Sequence, residues 1–173
     1  MRALSAIVAV LALLLAGCAS PGPTAQEWAA QVCGALVPWR AAITDLNRRA
    51  AEQMAQATTT EQTRANLVAL VADARDATET ARAAVAGLSV PDVPGGSAVA
   101  AGFAASLTEI RDAYSAAEAE LRSLPGGDET TFYDGVVEVL NRLNQRYQQG
   151  ALDLTELEST QLREAFDQVP ECR

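Results

Sequence analysis

Apolar residues recur at helical spacing along four long stretches of this chain. In the first stretch, the large apolar positions follow one another every three or four residues from position 28 to position 54, which places them on one helix face. Similar stripes occupy residues 67–85, 103–124 and 132–147, and the stripe over 103–124 is the most regular heptad. The alternation typical of strands does not persist anywhere. The pattern therefore predicts an all-α protein.

Three loop signals divide the helical pattern. Residues 58–60 are three threonines, residues 87–96 contain two prolines and three glycines, and residues 125–127 read Pro-Gly-Gly. These compositions favour turns and oppose helix. The first helix is expected over about 24–57 and the second up to about 86, with Ser97 and Asp128 as the N-caps of the third and fourth.

A short fifth helix is expected near the C-terminus. Thr155 and Glu158 have the spacing of a capping box, and Pro170 stops the helix that would follow them. Because the connections are short, the predicted architecture is an antiparallel bundle of four main helices plus this short C-terminal helix. The fourth helix would return to the end where the first began. If Cys172 is bonded to Cys33, the fifth helix must lie across or beside that end.

Pro38 interrupts the first stripe. A proline inside a helix removes one backbone donor and clashes with the carbonyl four residues earlier, here that of Gly34. We expect a kink or a short break near residues 36–38.

An apolar run precedes the helical part of the chain. Residues 3–15 are apolar except for Ser5, and Arg2 supplies a positive charge before them. This is the length of a signal peptide and is too short for a comfortable membrane span. The run closes on Leu15-Ala16-Gly17-Cys18, which resembles the lipobox of bacterial lipoprotein precursors. The resemblance implies a diacylglycerol on Cys18 and cleavage before it; an ordinary signal peptide or an uncleaved anchor are the alternatives.

The domain organisation follows from this anchor. Residues 1–17 are interpreted as the signal peptide, residues 18–25 as a lipidated tether, and residues 26–173 as a single helical-bundle domain. The tether contains Pro and Gly, and seven extended residues reach at most about 25 Å. The domain is therefore expected close to the extracytoplasmic face of the cell membrane.

The two remaining cysteines, Cys33 and Cys172, form an even pair in an exported protein. Such a pair favours a disulfide in an oxidising compartment. The alternative is two free thiols.

The charged residues exclude several function classes. The chain has 22 acidic and 13 basic residues for a net charge of −9, and it contains no histidine and no lysine. This acidity argues against binding nucleic acid. Without histidine or lysine there is no Ser-His-Asp triad, no Schiff-base or P-loop lysine, and no Glu-x-x-His metal pair. We therefore assign no catalytic, cofactor-binding or metal-binding residue and expect no enzyme.

Four acidic residues around the turn at Pro125 are candidates for a binding site. They are interpreted as a solvated helix end: Glu118, Glu120, Asp128 and Glu129.

Trp28 and Trp39 stand eleven residues apart on one face of the first helix. Core packing is the simpler interpretation. The functional alternative is an exposed aromatic anchor for a partner, because tryptophan is enriched at interface hot spots.

The chain resembles the small, helical, disulfide-closed envelope lipoproteins of actinobacteria. The features that carry the resemblance are the lipobox at Cys18, the entry helix with Trp28, Cys33 and Trp39, and the Pro170-Glu171-Cys172 end. The resemblance implies a location and no particular activity.

Two functional hypotheses follow, and a third possibility is a purely structural envelope component with no specific ligand. The first is a non-catalytic interaction module that binds another envelope protein, and it predicts an exposed apolar patch. The alternative is a carrier or sensor for a small apolar or cationic ligand. That alternative predicts a cavity of about 300 Å³ or more, lined by Phe103, Tyr114 and Trp39.

Overall fold

The computed structural model describes residues 22–151, 157 and 159–172. Within these residues the secondary structure is entirely helical, which confirms the predicted all-α class. The elements are α1 (Ala25–Gln56), α2 (Thr60–Ala86), α3 (Gly96–Ser123), α4 (Glu129–Gly150), α5 (Thr160–Gln168) and a 3-10 turn (Pro170–Cys172).

Successive main helices pack against each other and run antiparallel. On α1 and α2, Trp39 bonds to Thr78 whereas Arg49, further along α1, approaches Asp73, earlier on α2. Contacts between α2 and α3, and between α3 and α4, likewise run in reverse order: of two residues on one helix, the later one meets the earlier partner on the next. The helix α3 lies between α2 and α4 and contacts both, as its regular heptad predicts.

The core has two parts. The first lies where α1 and α3 begin and α2 ends, and α5 covers it. Its aromatic centre is Trp28, whose ring meets Phe103 at 5.5 Å and Phe166 at 6.0 Å between centroids. The second part lies between α2, α3 and α4 and is centred on the buried Leu121 and Phe132. A chain of this size has enough length to bury both.

The predicted disulfide closes the first core. Cys33 on α1 and Cys172 in the 3-10 turn are bonded, with Cα atoms 5.0 Å apart and a sequence separation of 139. The fifth helix lies against the beginning of α1, as a bond between Cys33 and Cys172 requires. The pairing and the topology are therefore confirmed together.

Two predicted helix starts are wrong. The N-cap of α3 is Gly95, with φ of 76°, and Ser97 already lies inside the helix. Glycine takes this left-handed conformation without the penalty that a Cβ imposes. Ser159 is the N-cap of α5, and buried Leu157 precedes the helix. The proposed cap residues Thr155 and Glu158 lie outside the described residues.

Of the kink or break expected at Pro38, the break does not occur, because α1 continues from Ala25 to Gln56 with Pro38 inside it. Long-range attachments hold the helix on both sides of the proline. Cys33 is tied by the disulfide and Trp39 by its bond to α2. These attachments offset the donor that proline removes.

Candidate functional site

A groove of about 360 Å³ lies on the surface between α1 and α2. We call it the Trp39 groove. Its lining is almost entirely apolar and consists of Ala35, Pro38, Trp39, Ala42, Ala77, Thr80, Ala81 and Ala84. The methyl groups of these alanines keep the two helices close and leave the indole ring as the largest group in the groove.

The indole of Trp39 is held in one orientation by α2. Its ring N–H donates to the hydroxyl oxygen of Thr78 at 3.0 Å. That hydroxyl in turn donates to the carbonyl of Ala74 at 2.7 Å. Because its polar atom is satisfied inside the protein, Trp39 offers a ligand its apolar ring rather than a free donor.

The edge of the groove on α2 is open to solvent. Thr80 and Ala84 line the groove and are both exposed. A partner could therefore approach the groove from this side.

Trp28 has a different environment from Trp39. It is 1% exposed and packs in the first core, so the core interpretation is confirmed for Trp28. It is not the exposed anchor that the functional alternative required. Of the two tryptophans, only Trp39 lines a surface groove.

The acidic residues around Pro125 are only partly a solvated helix end. Glu118 is buried, and its carboxylate is paired with Arg75 of α2 and Arg122 of α3. A buried carboxylate needs such partners because its desolvation is costly. The pairing joins α2 to α3, which sequence spacing within α3 could not reveal.

Two neighbours of Glu118 also have structural partners. Glu120 binds Arg142 at 2.7 Å and Arg146 at 2.9 Å on α4. Asp128 caps α4 by accepting from the backbone N–H of Thr131 at 2.6 Å, as predicted. These contacts hold helices in place.

A further ion pair links the middle of α2 and α3. Glu79 accepts from Arg82 at 2.6 Å and from Arg111 at 3.0 Å. The two guanidinium groups lower the pKa of Glu79 to about 2, with the hydrogen bond from Arg82 as the largest cause. On the other flank of α3, burial raises the pKa of Tyr114 to about 12. Among the described residues no group of three Cys, His, Asp or Glu side chains is placed to hold a metal ion.

The cavity required by the carrier hypothesis is not formed by the predicted residues together. Trp39 lines the groove, whereas Phe103 is buried in the first core. Tyr114 packs edge-on against Tyr147, with ring centroids 6.4 Å apart.

A second apolar surface lies on α4. It consists of three exposed residues spaced four and three positions apart: Tyr133 (39% exposed), Val137 (57%) and Leu140 (40%). Leu140 lies in the apolar stripe over residues 132–147, yet its side chain is exposed. The helix α4 packs mainly on α3, so the flank that carries Leu140 stays uncovered.

Two pockets open at the end of the bundle where α1 begins. The larger, of about 400 Å³, is lined mainly by polar residues of α1, α5 and the α2–α3 loop, including Gln26, Asp92 and Glu164. The smaller, of about 390 Å³, lies beside it and shares Gln161. Neither contains a buried, unpaired charge that would select a ligand.

Comparison with protein-family models, with curated proteins and with solved structures finds no significant match to this chain. Over the described part of the chain, no helix is both long enough and apolar enough to cross a membrane. Cys18 and the predicted signal peptide lie outside the described residues.

Proposed function

We propose that this protein is an extracytoplasmic lipoprotein that binds another envelope protein through the Trp39 groove. A diacylglycerol on Cys18 holds it on the membrane, and the bundle acts without catalysis. The observation that carries the proposal is the groove itself, an apolar surface built around a tryptophan whose N–H is already bonded within the protein. Tryptophan is enriched at interface hot spots.

The sequence supports the anchoring part of this proposal. The lipobox resemblance at Leu15-Ala16-Gly17-Cys18 predicts lipidation, and two acyl chains are enough for stable anchoring. Loss of Arg2 with the signal peptide changes the net charge from −9 to −10. An acidic protein is not attracted electrostatically to anionic lipid. The acyl chains therefore supply the attachment to the membrane.

The test is photo-cross-linking in intact membranes from a reactive residue placed at Thr80, an exposed residue in the lining of the groove. The matched pair is Ala84→Arg, which places a long side chain in the groove, and Ala83→Arg, at the neighbouring exposed position outside its lining. We expect one protein at near-stoichiometric yield, lost with Ala84→Arg and retained with Ala83→Arg. Equal capture from both variants would refute the groove as the binding site.

The anchoring part has its own test. Cys18→Ala should release the protein from the membrane fraction, and mass spectrometry of the N-terminal peptide should show the lipid in the parent protein. Retention of the variant on the membrane would contradict lipidation as the means of attachment.

A small apolar ligand is the second candidate occupant, because the volume and lining of the Trp39 groove also suit one. Organic extraction of the purified protein separates the two candidates. A stoichiometric small molecule that is lost with Ala84→Arg, without any cross-linked protein, would favour the carrier over the interaction module.

A further inference from the structure

The residues that lead into the bundle are docked on the α2–α3 loop. The carbonyl of Pro23 accepts a hydrogen bond from the backbone N–H of Asp92 at 2.9 Å. Gly22 approaches the same loop so closely that a Cβ there would lie 2.5 Å from the carbonyl oxygen of Val90. Thr24 then starts α1 with a capping box. The point where the chain enters the bundle is therefore fixed.

This docking shortens the link between the bundle and its anchor. Only residues 19–21 separate Cys18 from Gly22, and four residue steps span at most about 14 Å. By comparison, the 28 residues of α3 span about 42 Å. The link is therefore much shorter than the bundle.

We propose that the bundle stands end-on, with its basal end against the lipid bilayer surface. The basal end consists of residues 22–24, the loop over residues 87–95 and the face of α5 that lines the larger polar pocket. The proposal rests on the lipidation of Cys18, which belongs to the proposed function. It adds which surface of the protein meets the membrane.

The chemistry of the basal end fits the polar surface of a bilayer. Val90 is 51% exposed in the loop and is the apolar side chain placed to meet the lipid headgroups. Glu27, Asp92 and Glu164 are exposed at the same end of the bundle, and these carboxylates disfavour close contact with anionic lipid. The bundle therefore meets the bilayer surface through the anchor and Val90 and does not need a basic patch that binds anionic lipid.

End-on orientation sets the height of the Trp39 groove. Trp39 lies 14 residues beyond Ala25 on α1, which corresponds to about 21 Å along the helix. Because the groove runs between two helices, it opens sideways at this height. Its partner must then carry its binding segment about 20 Å above the membrane surface.

The test compares two matched replacements, Ser89→Cys in the α2–α3 loop and Ser123→Cys at the far end of α3. Both serines are exposed. With Cys18 lipidated and the other two cysteines in the disulfide, each variant has a single free thiol for a fluorophore. The lipidated protein is reconstituted into phosphatidylcholine vesicles that contain a headgroup-attached quencher.

We expect severalfold stronger quenching at position 89 than at position 123. A long Gly-Ser insertion between Ser20 and Pro21 should reduce the difference, because it frees the bundle to tilt. Equal quenching at the two positions without the insertion would show that the bundle lies on its side, for example on Tyr133 and Val137, and would overturn the proposal.

The same samples separate this proposal from the proposed function. Mass spectrometry of the N-terminal peptide reports whether Cys18 carries lipid. A lipidated Cys18 with equal quenching overturns the orientation alone, whereas a Cys18 without lipid overturns the anchor and the orientation together. The Thr80 cross-linking result is independent of both readouts.

Discussion

Reduction of the Cys33–Cys172 disulfide should cause a large loss of stability without a large change in the folded state. The bond joins residues 139 apart, so it restricts nearly the whole folded domain when the chain is unfolded. The folded contacts of α5 do not depend on the bond alone. Leu162 and Phe166 are buried against the first core and keep α5 docked after reduction.

The magnitude follows from the length of the closed loop. For a separation of 139 residues, the chain-entropy relation gives about 5 kcal/mol at room temperature, an upper figure, since measured bridges contribute about 2–5 kcal/mol. The free energy of unfolding of a domain is typically about 5–15 kcal/mol. Reduction should therefore remove a large fraction of the stability.

The assay is urea unfolding followed by far-UV circular dichroism on the oxidised protein, the reduced protein and a Cys33→Ala/Cys172→Ala variant. With an m-value of about 2 kcal/mol/M, a loss of 4 kcal/mol lowers the midpoint by about 2 M. The m-value should rise on reduction, because the unfolded chain without its cross-link exposes more surface. The native spectra of the three samples should agree.

A loss smaller than about 1 kcal/mol in both the reduced protein and the double variant would refute this reasoning. Such a small loss would mean that the segments containing Cys33 and Cys172 already lie close together in the unfolded chain. A change in the native spectrum would instead show that the bond holds α5 in place.

Three further outcomes are expected. Phe166→Ala should lower the free energy of unfolding by about 3–5 kcal/mol in the same assay, because it empties the centre of the first core; a loss near zero would contradict the packing. Gly96→Ala should lower the free energy of unfolding by about 1–3 kcal/mol, because its Cβ would clash with the backbone carbonyl of Pro91. An unchanged urea midpoint would show that the loop moves to make room for the Cβ. Glu79 has its pKa lowered to about 2 in the folded protein, so its contribution to stability is present above its unfolded pKa and is lost as pH falls from about 4.5 toward 2. Carboxyl NMR titration of Arg82→Gln should show the pKa of Glu79 raised, and an unmoved pKa would contradict the assigned cause.

The helices and several caps of this protein could be predicted from local sequence. Thr59 and Asp128 cap α2 and α4 by bonding to backbone N–H groups three residues on, and such bonds need no distant partner. The pairing of Cys33 with Cys172 followed from the count of cysteines once Cys18 was assigned to lipid.

The positions of single side chains relative to the surface depended on the tertiary structure. Trp28 and Trp39 share a helix face in the sequence, yet α5 and α3 cover Trp28, whereas Trp39 stays at the edge of α1 and α2. Leu140 belongs to an apolar stripe, but α4 leaves its flank open. Helical periodicity locates a face without showing which neighbour covers it.

Long-range contacts also determined the features that local sequence did not predict, and they formed the candidate site. Glu118 is buried because Arg75 approaches it from another helix, and Gly95 caps α3 because the loop before it needs a positive φ. The hydrophobic pattern of this chain therefore determined its helices and their order, since that information is local. The Trp39 groove and the basal end arise only where segments distant in sequence meet, because a surface between two helices belongs to neither helix alone.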